Sequence, residues 1–181
     1  MSRAPGRGGM VVRPTEWRDF QGVVDFYYTR YDEVATNREL FLDTLPVKPT
    51  LADEAEFFGG LMRGVLSGRV VSCVAEVDGK VVGLCSVYRK GMHNEDRHCG
   101  TLAIGLRPEY RGRGIGHELI GTVLRHCVGK FEVVYLTVVD GNEAARRLYV
   151  KHGFQECGRF PRAFQQDGKY RDDLLMWKAL A

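Results

Sequence analysis

The sequence has no apolar stretch that approaches the roughly 20 residues needed to span a bilayer. Its first nine residues, rich in glycine and arginine, also lack the apolar segment of a secretory signal peptide. We therefore predict a protein that makes no membrane contact and resides in the cytoplasm. Residues 1–9 are expected to form a flexible tail ahead of a single domain over 10–181, and Met10 is an alternative start to Met1.

Paired cysteines are also missing. The chain has five cysteines, an odd number, widely spaced and without a Cys-x-x-Cys motif, which argues against a disulfide framework and against a zinc finger. Most lie among apolar residues, where a buried free thiol is the usual state, and a reducing compartment fits that state. No metal site is predicted. The cysteines are Cys73, Cys85, Cys99, Cys127 and Cys157.

A large excess of one charge is absent as well, because the net charge is only +3. This is too little to indicate a nucleic-acid partner, and none is expected. With 44% hydrophobic and 27% charged residues among 181, the composition is that of one globular domain with a sizeable core. The positive charge would suit a small anion if it were focused in one place.

Such a focus occurs at Arg111-Gly112-Arg113-Gly114-Ile115-Gly116, between a strand-like run that Pro108 ends and a run with helical spacing. Glycine permits a close approach to the backbone, and the first amides of a helix have no intrahelical acceptor. The pattern predicts a phosphate-binding loop. A Walker loop and a dinucleotide fingerprint both fit poorly. A plain glycine-rich turn is the alternative.

A second block follows a strand-like run over 131–139. Asn142 is a plausible N-cap for a helix over 143–152, which Gly153 would end as a C′ residue. Asn142 and Tyr149 are seven residues apart, roughly two helical turns, so both would lie on one face. Each also has a purely structural interpretation, as a cap and as a core aromatic residue.

The two blocks, Arg-x-x-Gly-x-Gly at 111–116 and Asn-x-x-Ala-x-x-Leu-Tyr-x-x-x-Gly-Phe at 142–154, resemble the GNAT superfamily of N-acetyltransferases in sequence, order and separation. The element order read along the chain, β-α-α-β-β-β-α-β-α-β-β, is similar to that of the family. The resemblance implies a mixed α/β fold: a splayed, mostly antiparallel sheet of seven strands with helices on both faces. A cofactor cleft would lie between the fourth and fifth strands.

The resemblance further implies acetyl-CoA as the cosubstrate. Main-chain groups of the fourth strand would pair with its pantetheine arm, and amides of the loop would surround its pyrophosphate. Asn142 would lie near the cofactor arm, and Tyr149 would lie near the thioester sulfur and protonate the departing thiolate. The implied cofactor-binding residues are Ile104, Gly105, Leu106, Arg111, Gly112, Arg113, Gly114, Ile115, Gly116, His117, Asn142 and Tyr149.

The base that deprotonates the acceptor amine is not assigned. Many family members have a glutamate on the fourth strand where this chain has Gly100. A water chain, or deprotonation before binding, is an equal alternative. Candidate side chains are His98, Glu95, Asp96, Glu54 and Glu56.

The leading hypothesis is direct acetyl transfer to an amine of a small molecule, peptide or protein, without a covalent enzyme intermediate. Cys99 on the fourth strand suggests an alternative, a ping-pong mechanism through a covalent enzyme intermediate, although a buried structural thiol is the more common state. A non-catalytic acyl-CoA-binding regulatory module is the second hypothesis, and a nucleotide-binding module is the third. The family resemblance also allows a homodimer.

Overall fold

The computed structural model describes residues 9–37, 47–91, 93, 95–166 and 168–180, so the predicted tail lies almost wholly outside the described residues. The helices in that part of the chain are α1 (Phe20–Thr36), α2 (Leu51–Leu66), α3 (Ile115–Cys127) and α4 (Glu143–Lys151). The strands are β1 (Met10–Pro14), β2 (Val70–Val77), β3 (Lys80–Arg89), β4 (Cys99–Leu106), β5 (Val133–Val139), β6 (Gln155–Gln166) and β7 (Lys169–Ala179). The predicted order of elements is confirmed.

All seven strands form one sheet in the order β1-β2-β3-β4-β5-β7-β6. Every neighbouring pair is antiparallel except β4 and β5, which are parallel. These two strands pair only from Cys99 with Val133 to Thr101 with Tyr135. Beyond Thr101 they separate, so residues 102–106 run along a gap within the sheet. The predicted splayed, mostly antiparallel mixed sheet is confirmed.

Helices cover both faces of this sheet. One face carries α3 and α4, whose apolar side chains share a core cluster with the inner strands. The other face carries α1 and α2, which pack on β2 and β3 around Phe26, Phe58 and Val74. The gap between β4 and β5 therefore lies between two helical layers. Among the described residues, no helix is both long enough and apolar enough to cross a membrane.

Local sequence signals explain several element boundaries. Thr50 caps α2: its hydroxyl accepts a hydrogen bond from the Asp53 N–H (3.2 Å), and the Asp53 carboxylate accepts one from the Thr50 N–H (2.8 Å). Asp78 and Gly79 have positive φ angles of 50° and 79° and form the predicted two-residue turn between β2 and β3. Gly153, with φ of 81°, follows α4 as predicted.

Two boundaries differ from those that the pattern predicts. Helical spacing predicts α1 over residues 15–31, whereas the helix runs over Phe20–Thr36. Asp19 delays its start, because its carboxylate accepts a hydrogen bond from the Glu16 N–H (2.8 Å) in a preceding 3-10 turn. Gly158 and Pro161 predict interruptions in β6; in the structure these are register shifts at 156–158 and 160–164, and the strand continues across them.

Candidate active site

The glycine-rich loop before α3 has the backbone shape that a bound anion requires. Gly112 and Gly114 have φ angles of 72° and 84°, and Gly114 is the N-cap of α3. A Cβ added at either position would meet no atom within 4 Å, so the space in front of the loop is open. Residues 112–114 are exposed. The positive φ angles explain why glycine occupies these positions.

Five successive amides, those of 112–116, have no main-chain acceptor within the described residues. They end at the N-terminus of α3, where the helix dipole favours negative charge. The sixth predicted amide differs, because the His117 N–H donates to the Gly114 carbonyl (3.0 Å) in the first turn of the helix. The His117 side chain is exposed and stacks on His152 at 4.4 Å between ring centroids. The fit to a diphosphate therefore rests on 112–116.

The two loop arginines have different surroundings. Arg111 forms a bidentate ion pair with Glu33 of α1, one contact being 2.7 Å between Nη2 and Oε2, and also donates to the Leu106 carbonyl (3.1 Å). Arg113 is exposed and lies over the Tyr110 ring, 5.4 Å from its centroid. Arg111 thus fixes the loop to α1 and β4, while Arg113 is directed along the surface.

We expect the Arg111–Glu33 pair to stabilise both the fold and the loop. In a double-mutant cycle with Arg111→Gln and Glu33→Gln, the coupling free energy should be about 1 kcal/mol, since the pair is only partly shielded from water. Each single variant should weaken acetyl-CoA binding several-fold. Urea unfolding and calorimetry measure the two effects. The exposed Lys48–Asp32 pair serves as the control and should show coupling near zero. Equal coupling in both pairs would contradict the expectation.

The register between β3 and β4 determines which main-chain groups face the gap. The Arg107 N–H donates to the Val82 carbonyl and the Lys90 N–H to the Cys99 carbonyl, both at 2.9 Å. Alternate residues of an antiparallel strand turn their main-chain groups to the same neighbour. The odd-numbered residues of β4 are therefore bonded to β3, and the even-numbered residues face the side of β5.

Of the three predicted arm-binding residues, Ile104 and Leu106 consequently present their main-chain groups to the gap. Gly105 turns its own toward Leu84 of β3. Its missing side chain has another consequence, because a Cβ there would lie 2.8 Å from Cζ of Phe26 on α1. Gly105 therefore permits α1 to pack closely on the strand beside the gap.

Gly100, the strand position at which the family resemblance implies a glutamate in many members, is closed to any side chain. It is buried, and a Cβ there would collide with the Val87 side chain and lie 3.3 Å from the Phe131 ring. It also faces the α3 side of the sheet, within the apolar cluster. A base at this position is excluded by packing as well as by sequence.

Helix α4 brings the second predicted group to the gap. Asn142 caps this helix, with Oδ1 accepting a hydrogen bond from the Ala145 N–H (3.2 Å). Tyr149 is 8% exposed and packs edge-to-face on Phe154 at 6.0 Å. Burial raises the pKa of its hydroxyl, which therefore stays protonated at neutral pH. A Cβ at Gly116 of α3 would lie 3.2 Å from Leu148 and 3.3 Å from Leu106, so this glycine brings the loop, α4 and β4 together.

The thiols do not form a reactive or metal-binding group. All five cysteines are free, and burial raises the pKa of Cys73 to about 11 and that of Cys127 to about 12. Cys99 is partly exposed on β4, ahead of the point where the strands separate. Among the described residues, no set of three histidine, cysteine or acidic side chains is placed to hold a metal ion.

Sequence motifs point to neither the contact of Glu33 nor the burial of Glu54, although Glu54 is among the candidate bases. Glu33 holds the loop arginine from 78 positions away in the sequence, and no local pattern marks such a contact. Glu54 is buried at 6% exposure on α2. The signal for Glu54 was present, since it precedes Phe58 by four residues on the apolar stripe of the helix.

The sequence model of the acetyltransferase (GNAT) family matches residues 34–154, which include the loop, the gap and α4. This chain belongs to the GNAT family. It is an acetyl-CoA-dependent N-acetyltransferase. The predicted family, fold and activity are thereby confirmed, and the regulatory-module and nucleotide-binding hypotheses are set aside.

Relatives cover nearly the whole of this GNAT enzyme. It is 27% identical over 176 residues to YwnH of Bacillus subtilis, whose name provisionally assigns phosphinothricin acetyltransferase activity; the match covers 95% of this chain and all of YwnH. A ribosomal-protein-alanine N-acetyltransferase from Brucella melitensis superposes with a TM-score of 0.78 at 26% identity, covering 94% of this chain and 99% of that one. A phosphinothricin acetyltransferase from Sinorhizobium meliloti, crystallised with acetyl-CoA, shares the fold with a TM-score of 0.80 at 20% identity, covering 95% and 89%.

Proposed function

We propose that this enzyme transfers the acetyl group to a primary α-amine, carried by a small amino acid or by the N-terminal residue of a peptide. Two relatives that align over almost their full length are named for such acceptors, phosphinothricin in one case and a ribosomal-protein alanine in the other. Both acceptors carry an amino group on an α-carbon. The observation that carries the proposal is this coverage, which includes α1, α2, β6 and β7 as well as the cofactor loop.

In this proposal, the free amides of 112–116 hold the diphosphate of acetyl-CoA at the N-terminus of α3. Ile104 and Leu106 pair with the pantetheine arm through the main-chain groups that face the gap. The Asn142 amide nitrogen stays available beside that arm, because Oδ1 alone is used by the cap. The thioester then lies near Tyr149 on α4.

Chemically, the neutral amine attacks the thioester carbonyl carbon and forms the C–N bond, and the C–S bond breaks. Tyr149 gives its proton to the sulfur of the departing thiolate. Transfer is direct, because Cys99 precedes the part of β4 that borders the gap. A cytoplasmic location and a homodimer are also part of the proposal.

The test measures thiol release from acetyl-CoA with four acceptors: phosphinothricin, an alanine-starting peptide, N-acetyl-lysine amide and spermidine. We expect kcat/KM to be at least tenfold higher for one of the two α-amines than for either of the others. Acetyl-CoA at about 100 times its Kd should also stabilise the fold by about 2.7 kcal/mol, which raises Tm by about 5–10 °C in a chain of this size.

A higher kcat/KM with spermidine or with the lysine side chain would contradict the α-amine assignment. It would not contradict the N-acetyltransferase activity itself. Absence of both the thermal shift and thiol release would overturn the whole cofactor site.

A further inference from the structure

Helix α2 carries a carboxylate, that of Glu54, at a position where the helical periodicity of its buried side predicts an apolar residue. The buried side of this helix includes Phe58, Leu61 and Met62. Glu54 lies one turn before Phe58 on the same side and is 6% exposed. Glutamate is almost never buried unless it is paired or functional.

No described residue compensates this burial. The pKa of Glu54 is raised, first by burial and then by the negative charge of Asp53, and no cation or hydrogen-bond donor among the described residues opposes the rise. Burying an unpaired carboxylate costs stability. A buried carboxylate of raised pKa, with no ion-pair partner among the described residues, is a candidate for chemistry.

Glu54 lies on the side of α2 that packs toward two tyrosines, since Tyr27 and Tyr88 both pack against the core cluster that includes Phe58. Its charge acts on the hydroxyl of Tyr27 in α1, whose ring packs edge-to-face on Phe57 at 5.3 Å between centroids. Tyr27 is in turn within electrostatic range of Tyr88 on β3. Tyr88 pairs with Thr101, the last residue of β4 that is bonded to β5. The core cluster that Glu54 adjoins thus extends to the point where the two strands begin to separate.

Arg30 connects this cluster to the other side of the gap. Burial raises the pKa of both Tyr27 and Tyr149, and the charge of Arg30 opposes the rise in both. Its Nη1 would lie 3.6 Å from a Cβ placed on Gly105 of β4. Arg30 thus lies beside the gap, with Tyr27 in the helical layer of α1 and α2 and Tyr149 in the opposite layer.

We infer that Glu54 is the general base of the reaction and takes the proton from the acceptor ammonium before the amine attacks. An N–H bond breaks and an O–H bond forms on the Glu54 carboxylate, leaving the nitrogen lone pair free for the thioester carbon. Tyr149 supplies the proton that the thiolate needs, and the proton on Glu54 leaves to solvent after product release. This inference rests on the proposed function, since it requires an amine acceptor in that cleft.

The surroundings of Glu54 suit this task. A carboxylate of raised pKa accepts a proton more readily than an exposed one, and general bases work best when their pKa lies near the working pH. The titratable groups that share an electrostatic interaction with Glu54 are Asp53 on its own helix and Tyr27 on α1, and Tyr27 interacts in turn with Arg30 on α1 and Tyr88 on β3. The tyrosine rings can also hold an ammonium against their faces.

The test compares Glu54→Gln with Glu56→Gln, a matched change at an exposed position of the same helix. Phosphinothricin and an alanine-starting peptide are used in parallel as acceptors. We expect Glu54→Gln to lower kcat/KM for the amine about 10- to 100-fold at pH 7, less than the largest general-base effects because water can also accept the proton. With the alanine-starting peptide, the loss should shrink as pH rises above about 8, the ordinary pKa of a peptide α-amine, where the amine is already neutral. Glu56→Gln should match the wild type throughout.

The stability of the Glu54→Gln variant distinguishes a role as general base from a purely structural role. Because the pKa of Glu54 is raised on folding, the wild type loses stability as pH rises from the ordinary glutamate pKa through the raised one. Glu54→Gln removes that loss, so its Tm at pH 7 should equal or exceed that of the wild type while its activity falls. Acetyl-CoA affinity should not change.

If the wild type acetylates amines and Glu54→Gln is as active as Glu56→Gln, the role of Glu54 as general base is wrong. The proposed function would still hold in that case. A constant activity loss at every pH, accompanied by a lower Tm, would also overturn it. Absence of thiol release by the wild type with every amine would reject the proposed function itself.

Discussion

Replacing Tyr149 with phenylalanine should lower kcat about 10²- to 10⁴-fold, the usual contribution of a general acid, while the Kd of acetyl-CoA stays unchanged. The ring is buried in the core and packs on Phe154, so removing the hydroxyl preserves the packing. Burial raises the pKa of that hydroxyl and keeps it protonated wherever the amine can react. Without it, the hydroxyl proposed to protonate the thiolate is gone.

Steady-state thiol release and calorimetry of acetyl-CoA measure the two quantities. Tyr170→Phe, which removes a hydroxyl from a half-exposed ring on β7, is the control and should retain wild-type kcat. If Tyr149→Phe turned over at the wild-type rate, the role of Tyr149 as proton donor would be rejected.

Replacing Gly114 with alanine should raise the Kd of acetyl-CoA about 100-fold. The methyl group would occupy the open space before the free amides of 112–116 and would force a residue with a side chain into a φ of 84°. Hydrogen bonds to a charged group contribute about 1.5–3 kcal/mol each, so displacing one or two of them accounts for the change.

Gly129, just beyond the other end of α3, is a matched control. Its φ is 77°, and a Cβ there would also meet no atom within 4 Å. Both alanine variants should therefore lose similar stability, about 1–2 kcal/mol from the left-handed conformation. Only Gly114→Ala should lose cofactor affinity. Equal Kd values for the two variants would show that the loop does not hold the diphosphate.

Local chemistry made much of the fold predictable. The Thr50 cap, the Asp78-Gly79 turn and the Gly153 terminus each depend on residues within a few positions, and each lies where the sequence predicts it. The end of α1 was not predictable in this way. The helix continues past Tyr31 to a contact between Glu33 and Arg111, whose partners are 78 positions apart.

The candidate site, like the fold, was predictable where it depends on local sequence and not where it depends on packing. The positions of the loop, of Asn142 and of Tyr149 follow from motifs, since glycine spacing and helical spacing are local properties. The orientation of Gly105 depends on the register between β3 and β4, and the partner of Arg111 depends on how α1 packs. Glu54 was among the candidate bases, but only the packed structure shows that it is buried and Glu56 exposed. The site roles themselves remain predictions.

The early separation of β4 and β5 has a consequence for the protein's tendency to aggregate. A sheet interrupted in its middle exposes two inner edges, and unpaired strand edges attract foreign extended chains. Here the opening is short, with residues 102–106 on one side, and helices cover it on both faces. The short opening and the two helical layers limit the length of unpaired edge that another extended chain could reach. The same architecture that leaves room for a cosubstrate thus restricts strand-to-strand aggregation.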